Sequence, residues 1–350
     1  MKITNATGVM DGSGDYEDIR SSLVQMGLLA PAERFTYTNL TGGVSCDVWK
    51  VEIGGRDPIV VKRALPKLRV AADWHAPPER SVAEVAWLKL ARTMIPDNVP
   101  AIVGEDPANN IFAMAYLEPL HHPLWKTELA AGRVEVDFAR AVGEKLALVH
   151  AGTAWQEDIA KAFDNGMQFH ALRLDAYLYH AAARNLDVAP KISTVARGIA
   201  KARIALMHGD ISPKNILRGP GGPIFLDAET ACYGDPVFDL AFCLNHLLLK
   251  CVWHPEYRDA YLQSFRALRD GYMAFATWER KDGIQARTAR LLAILLLARV
   301  DGKSPVEYLT DPRDTDFVRQ AAKNFIKSGT EDLELIASAW EAGLGSLVTR

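Results

Sequence analysis

Two kinds of hydrophobic patterning divide this chain, and the changeover at Glu118-Pro119 restricts the folds open to it more than any other feature. Upstream, apolar residues gather in short β-branched and aromatic runs; downstream, they recur at helical spacing over most of the remaining length. Phe35 to Ile53 reads as two strands joined by a turn at Gly42-Gly43, and Pro58 to Lys62 as a third. Residues 101–103 and 111–116 read as two more, around the turn-rich EDPANN. Helical faces in this half are confined to a leader at about 15–29 and to Ser81–Met94. Beyond Pro119, Val136–Val149, Leu172–Ala183, Ile192–Leu206, Pro255–Ala274 and Thr288–Val300 read as helices, interrupted by short strands at 215–217 and 223–227 around a GPGG turn. The expected class is α+β, with a small antiparallel sheet lobe bearing one helix over residues 1–118 and a larger, mainly helical lobe over 119–350.

Composition narrows the function classes. Of 350 residues, 49% are hydrophobic and 24% charged, enough apolar material for two cores and too much for a disordered chain. Forty basic against forty-three acidic side chains leave a formal charge of −3, which argues against a nucleic-acid or anionic-membrane partner. The first twenty residues lack the basic-then-apolar pattern of a signal peptide, and the most apolar stretch, Leu291 to Val300, is broken by Arg299, so the expectation is a cytoplasmic protein. Cys46, Cys232, Cys243 and Cys251 form no CxxC pair and are expected as buried thiols.

The segment LMHGDISPKNILRGPGGPIFLDAETACYGDPVFDL, Leu206 to Leu240, concentrates the chemistry. It sets Asp210, Asn215, Asp227 and Glu229 on loops beside two short strands, where carboxylates and an amide can converge. A hard cation such as Mg²⁺ takes oxygen ligands, one or two of them carboxylates, with substrate phosphates and water completing the shell. Asn215, Asp227 and Glu229 supply that set, and Asp210, left off the metal, can orient an attacking hydroxyl and accept its proton. H-G-D-x-x-x-x-N followed by apolar-apolar-D-x-E resembles the catalytic and metal loops of the aminoglycoside phosphotransferase and choline kinase superfamily, the small-molecule branch of the protein-kinase-like fold.

That resemblance implies a bilobal architecture and further roles. Gly234-Asp235-Pro236 with Asp239 is similar to the superfamily's G-D-P-x-x-D segment, which makes Asp239, with His208, a support of the catalytic loop. Kinase-like folds also use a hairpin over the nucleotide phosphates, a strand Lys that binds them and a helix Glu that holds the Lys. Gly42, Gly43, Val44 and Ser45, then Lys62, then Glu84, occupy those places in order. The main chain of Ala115, Tyr116 and Leu117 falls where the interlobe hinge presents backbone groups to adenine. KRALPKLR from Lys62, Trp74 ahead of Glu79-Arg80, the Tyr116-Leu117-Glu118-Pro119 hinge and the D-x-E motif resemble the S-methyl-5-thioribose kinases in particular. DAET stands in place of their D-P-E-F, and their paired substrate arginines are not matched cleanly, with Arg299 the single candidate.

The implied reaction is transfer of the γ-phosphoryl group of ATP, with Mg²⁺, to a hydroxyl of a small sugar-like metabolite. An aminoglycoside or choline/ethanolamine phosphotransferase is the alternative within the class, and a non-catalytic nucleotide-binding protein the alternative outside it. A choline site would need an aromatic cage, for which Trp253, Tyr257, Tyr261, Tyr272 and Trp278 are available, although their spacing suits helix packing equally. Asp301-Gly302-Lys303-Ser304 reads as a helix-terminal turn rather than a P-loop, since Leu297 replaces the first glycine. Asp11-x-Ser13-x-Asp15 lacks the later Glu of a calcium loop. His121-His122 has no third ligand in register, and His150 reads as a packed or capping histidine. Oligomeric state has no signature in the sequence.

Overall fold

A computed structural model describes residues 14–40, 45–67, 69 and 77–348. The chain divides into two compact units, Met1–Leu120 and His121–Arg350. Among the described residues, no single helix is long and apolar enough to cross a membrane.

The first unit is a five-stranded antiparallel sheet of order β1-β2-β3-β5-β4, with β1 Phe35–Asn39, β2 Cys46–Ile53, β3 Ile59–Ala64, β4 Ile102–Asp106 and β5 Ile111–Ala115. Period-two alternation sends successive side chains to opposite faces. On one face Trp49, Val51, Val61 and Ala113 pack against Ile19 and Leu23 of the leader helix Gly14–Gln25. Arg63, two residues past Val61, lies on that face too and pairs with Asp15 and Asp18 of the leader at 2.6 and 2.8 Å. The intervening Lys62 therefore points the other way, toward helix Arg80–Met94, which carries Glu84. The leader helix ends earlier than its apolar pattern suggests: Gly27 adopts φ +71° and Leu28 N–H donates back to Leu23 O at 2.9 Å, a left-handed C-terminal cap.

The second unit is helical around helix Val237–Trp253, whose residues are buried from Val237 through Val252. The expected helices omitted this one, because a segment buried on every side shows little amphipathic period. Helix Ala189–Lys201 stops before the expected Leu206. Residues 205–207 instead form strand β6, Ala205–Met207, antiparallel to β9, Cys232–Gly234. The hairpin β7 Ile216–Gly219 and β8 Gly222–Phe225 stands between them in sequence. The expected helix Leu172–Ala183 is built differently. Over His170–Tyr179 the backbone widens to π-helical geometry, with α-helical turns on either side. Asp301 ends helix Lys281–Asp301, and Gly302 N–H caps onto Ala298 O at 2.8 Å, so DGKS is a helix terminus. The four cysteines are free and buried.

Candidate active site

Strands β6 and β9 are too short to stand alone, yet pairing Met207 with Cys232 fixes the loops that leave them. The loop after β6 is His208-Gly209-Asp210. Gly209 sits at φ +80°, and a Cβ there would meet Thr230 Oγ1 at 2.6 Å and Thr230 O at 2.7 Å, so both conformation and closeness demand glycine. Asp239, in the first turn of helix Val237–Trp253 and with no exposed surface, accepts from His208 N–H at 2.7 Å and Gly209 N–H at 2.8 Å. Its Oδ2 also takes His150 Nε2 at 3.2 Å, while His150 Nδ1 meets the Tyr272 hydroxyl at 2.9 Å. His150 is thus buried, as its place in an apolar helix suggests, but it serves the loop brace rather than a helix end.

His208 ties this loop to the next. Asp210 N–H donates to its Nδ1 at 3.2 Å and its Nε2–H donates to Leu226 O at 3.0 Å, which sets the tautomer. Burial, working against Asp239, Asp210 and Asp227, keeps the imidazole below the ordinary histidine value and therefore neutral. Leu226 N–H in turn donates to Asn215 O at 2.9 Å, and the following residue, Asp227, takes φ +67°, a left-handed conformation that Asp tolerates better than most residues. Strand β8 ends at Phe225, two residues short of Asp227.

Asp210 is buried and crowded with donors on one oxygen. Its Oδ2 receives Asn215 Nδ2 at 2.9 Å, Lys214 Nζ at 2.9 Å and Arg173 Nη2 at 3.2 Å. Burial alone would raise its pKa, and Lys214 and Arg173 outweigh that, holding the carboxyl below the usual aspartate range despite repulsion from Asp227. Among the described residues no donor is bonded to Oδ1. Arg173, on the π-helical stretch, also donates Nε to Gly209 O at 2.7 Å and is faced by Asp210, Glu229 and Asp227. The sequence reading missed Arg173 and Lys214. Lys214 lies inside the HGDISPKN motif and could have been found there, whereas Arg173 arrives by packing and leaves no local signal.

The donor set suits a hard cation. Asp227 and Glu229 both act electrostatically on Arg173, and because Asn215 Nδ2 is committed to Asp210 O and Oδ2, its carbonyl is the ligand atom that remains. Among the described residues no three His, Cys, Asp or Glu side chains gather into a metal cage, so phosphate oxygens and water would complete the shell.

In the first unit Lys62 Nζ bonds both Glu84 oxygens, at 2.8 and 2.7 Å, with the two side chains 7% and 2% exposed. That pairing follows from strand register: Lys62 stands between Val48 and Phe112 on the face that helix Arg80–Met94 covers. Ser45 directly precedes β2, its hydroxyl 3.7 Å from Cys46 Sγ and its carbonyl accepting from Leu65 N–H at 2.9 Å. Gly42, Gly43, Val44 and Trp74 lie outside the described residues. Ala115 ends β5 with its N–H on Ala101 O at 2.8 Å, and the chain leaves the sheet through Tyr116 and Leu117. Arg299 is buried in the second unit, where Nη1 donates to Ser304 O at 2.7 Å and to the Tyr177 hydroxyl at 3.3 Å.

Comparison with known proteins bears on the fold and the family. The chain is 26% identical over 219 residues to methylthioribose kinase 2 of Oryza sativa subsp. japonica, covering 55% of this chain and 51% of that one, so it spans about half the length of that relative. Against methylthioribose kinase of Yersinia enterocolitica it is 26% identical over 265 residues, 67% of this chain and 66% of that protein. Solved structures share the fold: a choline/ethanolamine kinase family protein from Mesorhizobium loti (TM-score 0.50, 15% identity, 93% and 98% of the two chains) and choline kinase from Cryptosporidium parvum Iowa II (0.51, 11%, 96% and 97%). The fold is therefore protein-kinase-like, and with residues 36–284 matching its model, the chain belongs to the phosphotransferase enzyme family.

Proposed function

We propose that the protein is an ATP-dependent small-molecule kinase that phosphorylates a hydroxyl of a sugar-like metabolite. The observation that carries this reading is the state of Asp210: one carboxylate oxygen saturated by Asn215, Lys214 and Arg173, the other without a bonded donor among the described residues, on a backbone braced by Asp239. Oδ1 accepts the hydrogen bond of the acceptor hydroxyl and fixes its lone pair toward the γ-phosphorus. A carboxylate held this acidic is a weak base, so it orients the nucleophile early and takes the proton late, as a loose phosphoryl-transfer transition state requires. The new bond joins the acceptor oxygen to the γ-phosphorus, the bond to the β-γ bridging oxygen breaks, ADP leaves, and the proton rests on Asp210.

Asp227, with Asn215 and Glu229, would hold Mg²⁺, which neutralises phosphate charge when bound. Lys62, kept in place by Glu84, binds nucleotide phosphates, and the main chain of Ala115 to Leu117 receives the adenine. Retention of all these charged groups weighs against a non-catalytic binding protein. Choline is disfavoured by the aromatic residues available for a cage. Tyr272 and Trp278 pack around His150, whereas Trp253, Tyr257 and Tyr261 follow one another through His254, and the Trp253 face is already taken by Lys250.

The test is a coupled ADP-release screen over methylthioribose, pentoses, sugar alcohols, choline and aminoglycosides, with and without Mg²⁺. Turnover of a hydroxylated acceptor that disappears in Asp227→Ala is expected. No ADP release with any acceptor, together with no Mg²⁺-dependent thermal stabilisation by ATP, overturns the reading.

A further inference from the structure

Helix Val237–Trp253 carries Asp239, Phe242, His246, Lys250 and Trp253 at steps of three and four residues, so all five share one face. Asp239 braces the catalytic loop. Further along that face, the Phe242 ring meets the rings of Tyr177 at 5.5 Å and His246 at 5.6 Å, both edge-on. Beyond them the Lys250 ammonium lies 4.7 Å from the Trp253 ring centre and 5.0 Å from that of Tyr308.

Lys250 is 1% exposed, and among the described residues no acceptor is bonded to its Nζ. Buried ammonium groups are ordinarily paired. The carboxylate that faces it, Glu307, is engaged by Lys126 at 2.5 Å. Arg299, 8% exposed, commits Nη1 to Ser304 O and Tyr177, and among the described residues its buried Nε has no partner. The His246 imidazole is faced by Arg299, Lys250, Lys214 and Lys126; burial and these cations push its pKa well down, so it remains a neutral donor or acceptor. Tyr177 joins this cluster to the catalytic loop, for it is faced at once by Arg299, Arg173, Asp210 and Lys214. Two nine-tenths-buried cations with unspent donors thus face the same imidazole, His246, and Tyr177 links one of them, Arg299, to the catalytic loop.

We propose that this cluster recognises an anionic group on the phosphate acceptor, so that the substrate is a hydroxylated oxyanion, a polyhydroxy carboxylate or a sugar phosphate, rather than a neutral polyol or an amine. The assignment rests on the kinase reading only in making the anion part of the acceptor. Arg299 offers a planar fork and Lys250 a point charge, a combination that suits the oxygens of a carboxylate or phosphate and repels choline and aminoglycosides.

Matched acceptors test it: gluconate against sorbitol, ribose 5-phosphate against ribose, and choline, compared in ADP release at constant ionic strength. The thermal shift each produces without nucleotide is measured alongside. At least one anionic member is expected to exceed its neutral partner in kcat/KM by about 10- to 100-fold, the range of one charge-assisted hydrogen bond. Lys250→Met and Arg299→Gln should each erase that preference by raising the acceptor KM while the KM for ATP stays unchanged, and Lys250→Arg should retain part of it. Equal use of neutral and anionic partners overturns the proposal, as does anion-induced stabilisation that is absent or that survives in Lys250→Met. If no acceptor releases ADP yet an anion stabilises the protein and Lys250→Met abolishes the effect, the anion site stands and the kinase reading falls. Should Lys250→Met not fold, the comparison passes to Arg299→Gln and Lys250→Arg.

Discussion

Replacing Asp239 by Asn is the sharpest probe of how the catalytic loop is held, because shape is conserved and only charge and one acceptor are lost. The carboxylate is fully buried and takes three donors: Gly209 N–H on Oδ1, and His208 N–H and His150 Nε2 on Oδ2. An amide that keeps its oxygen on the two-donor side turns its NH₂ against Gly209 N–H. One charge-assisted bond, worth about 1.5–3 kcal/mol, is then lost, and a buried N–H is left unsatisfied at about 1–3 kcal/mol. The bonds that remain fall to neutral strength. The sum is about 3–5 kcal/mol, a large share of the roughly 5–15 kcal/mol that stabilises a typical domain. With a urea slope of about 3 kcal/mol/M, the midpoint should fall by about 1–1.7 M. Equilibrium urea unfolding followed by far-UV circular dichroism measures this, and ADP release at a denaturant-free, folded temperature measures the accompanying loss of positioning, expected at about 100-fold. A midpoint for Asp239→Asn within 0.3 M of wild type, a margin of about 1 kcal/mol by the same slope, would refute the brace.

Gly209→Ala should cost about 2–5 kcal/mol, from a left-handed backbone and a Cβ driven into Thr230, and Thr230→Ser should not rescue it because the main-chain oxygen of residue 230 is in the way as well; urea midpoints of the single and double variants decide this. Lys62→Met and Glu84→Gln should be non-additive by about 1–3 kcal/mol in a double-mutant cycle, read by thermal or urea unfolding, since the two side chains bond directly while buried. Burial, then Lys126, pushes Lys250 down to about 8. Its folded value lies below its unfolded one, so the unfolded chain holds more protons between about 8 and the ordinary lysine value near 10.4, and stability must rise with pH across that window. The melting temperature of wild type should climb from pH 7.5 to 9.5, that of Lys250→Met should start higher and stay flatter, and parallel curves would show that Lys250 does not carry the effect.

What the sequence reveals and what it hides follow a physical line. HGDISPKN and LDAE are legible because their roles depend on loop spacing of a few residues, and the Lys62 to Glu84 pairing is legible because strand alternation and a helix face bring the two together. The sheet was readable from its β-branched runs. Helix Val237–Trp253 was not, since total burial erases periodicity, and the π-helical stretch has no sequence period of its own. Arg173, Tyr177 and His150 reach the site only through tertiary packing. His246 and Lys250 did leave a trace, two polar side chains four residues apart inside FCLNHLLLKC, an anomaly that packing rules alone do not explain.

Helix Val237–Trp253 also acts as a ruler. Eleven residues separate Asp239 from Lys250, and the rise of the helix sets them about 16 Å apart along its axis. A one-residue insertion between them would turn the far half by about 100° and swing Lys250 off the shared face, leaving the catalytic loop untouched. The helix therefore cannot change length without uncoupling recognition from chemistry. Variation in acceptor size must be accommodated elsewhere, and the segment after Asp301, which brings Ser304 O to Arg299 and Tyr308 to Lys250, is the part of the unit free to supply it.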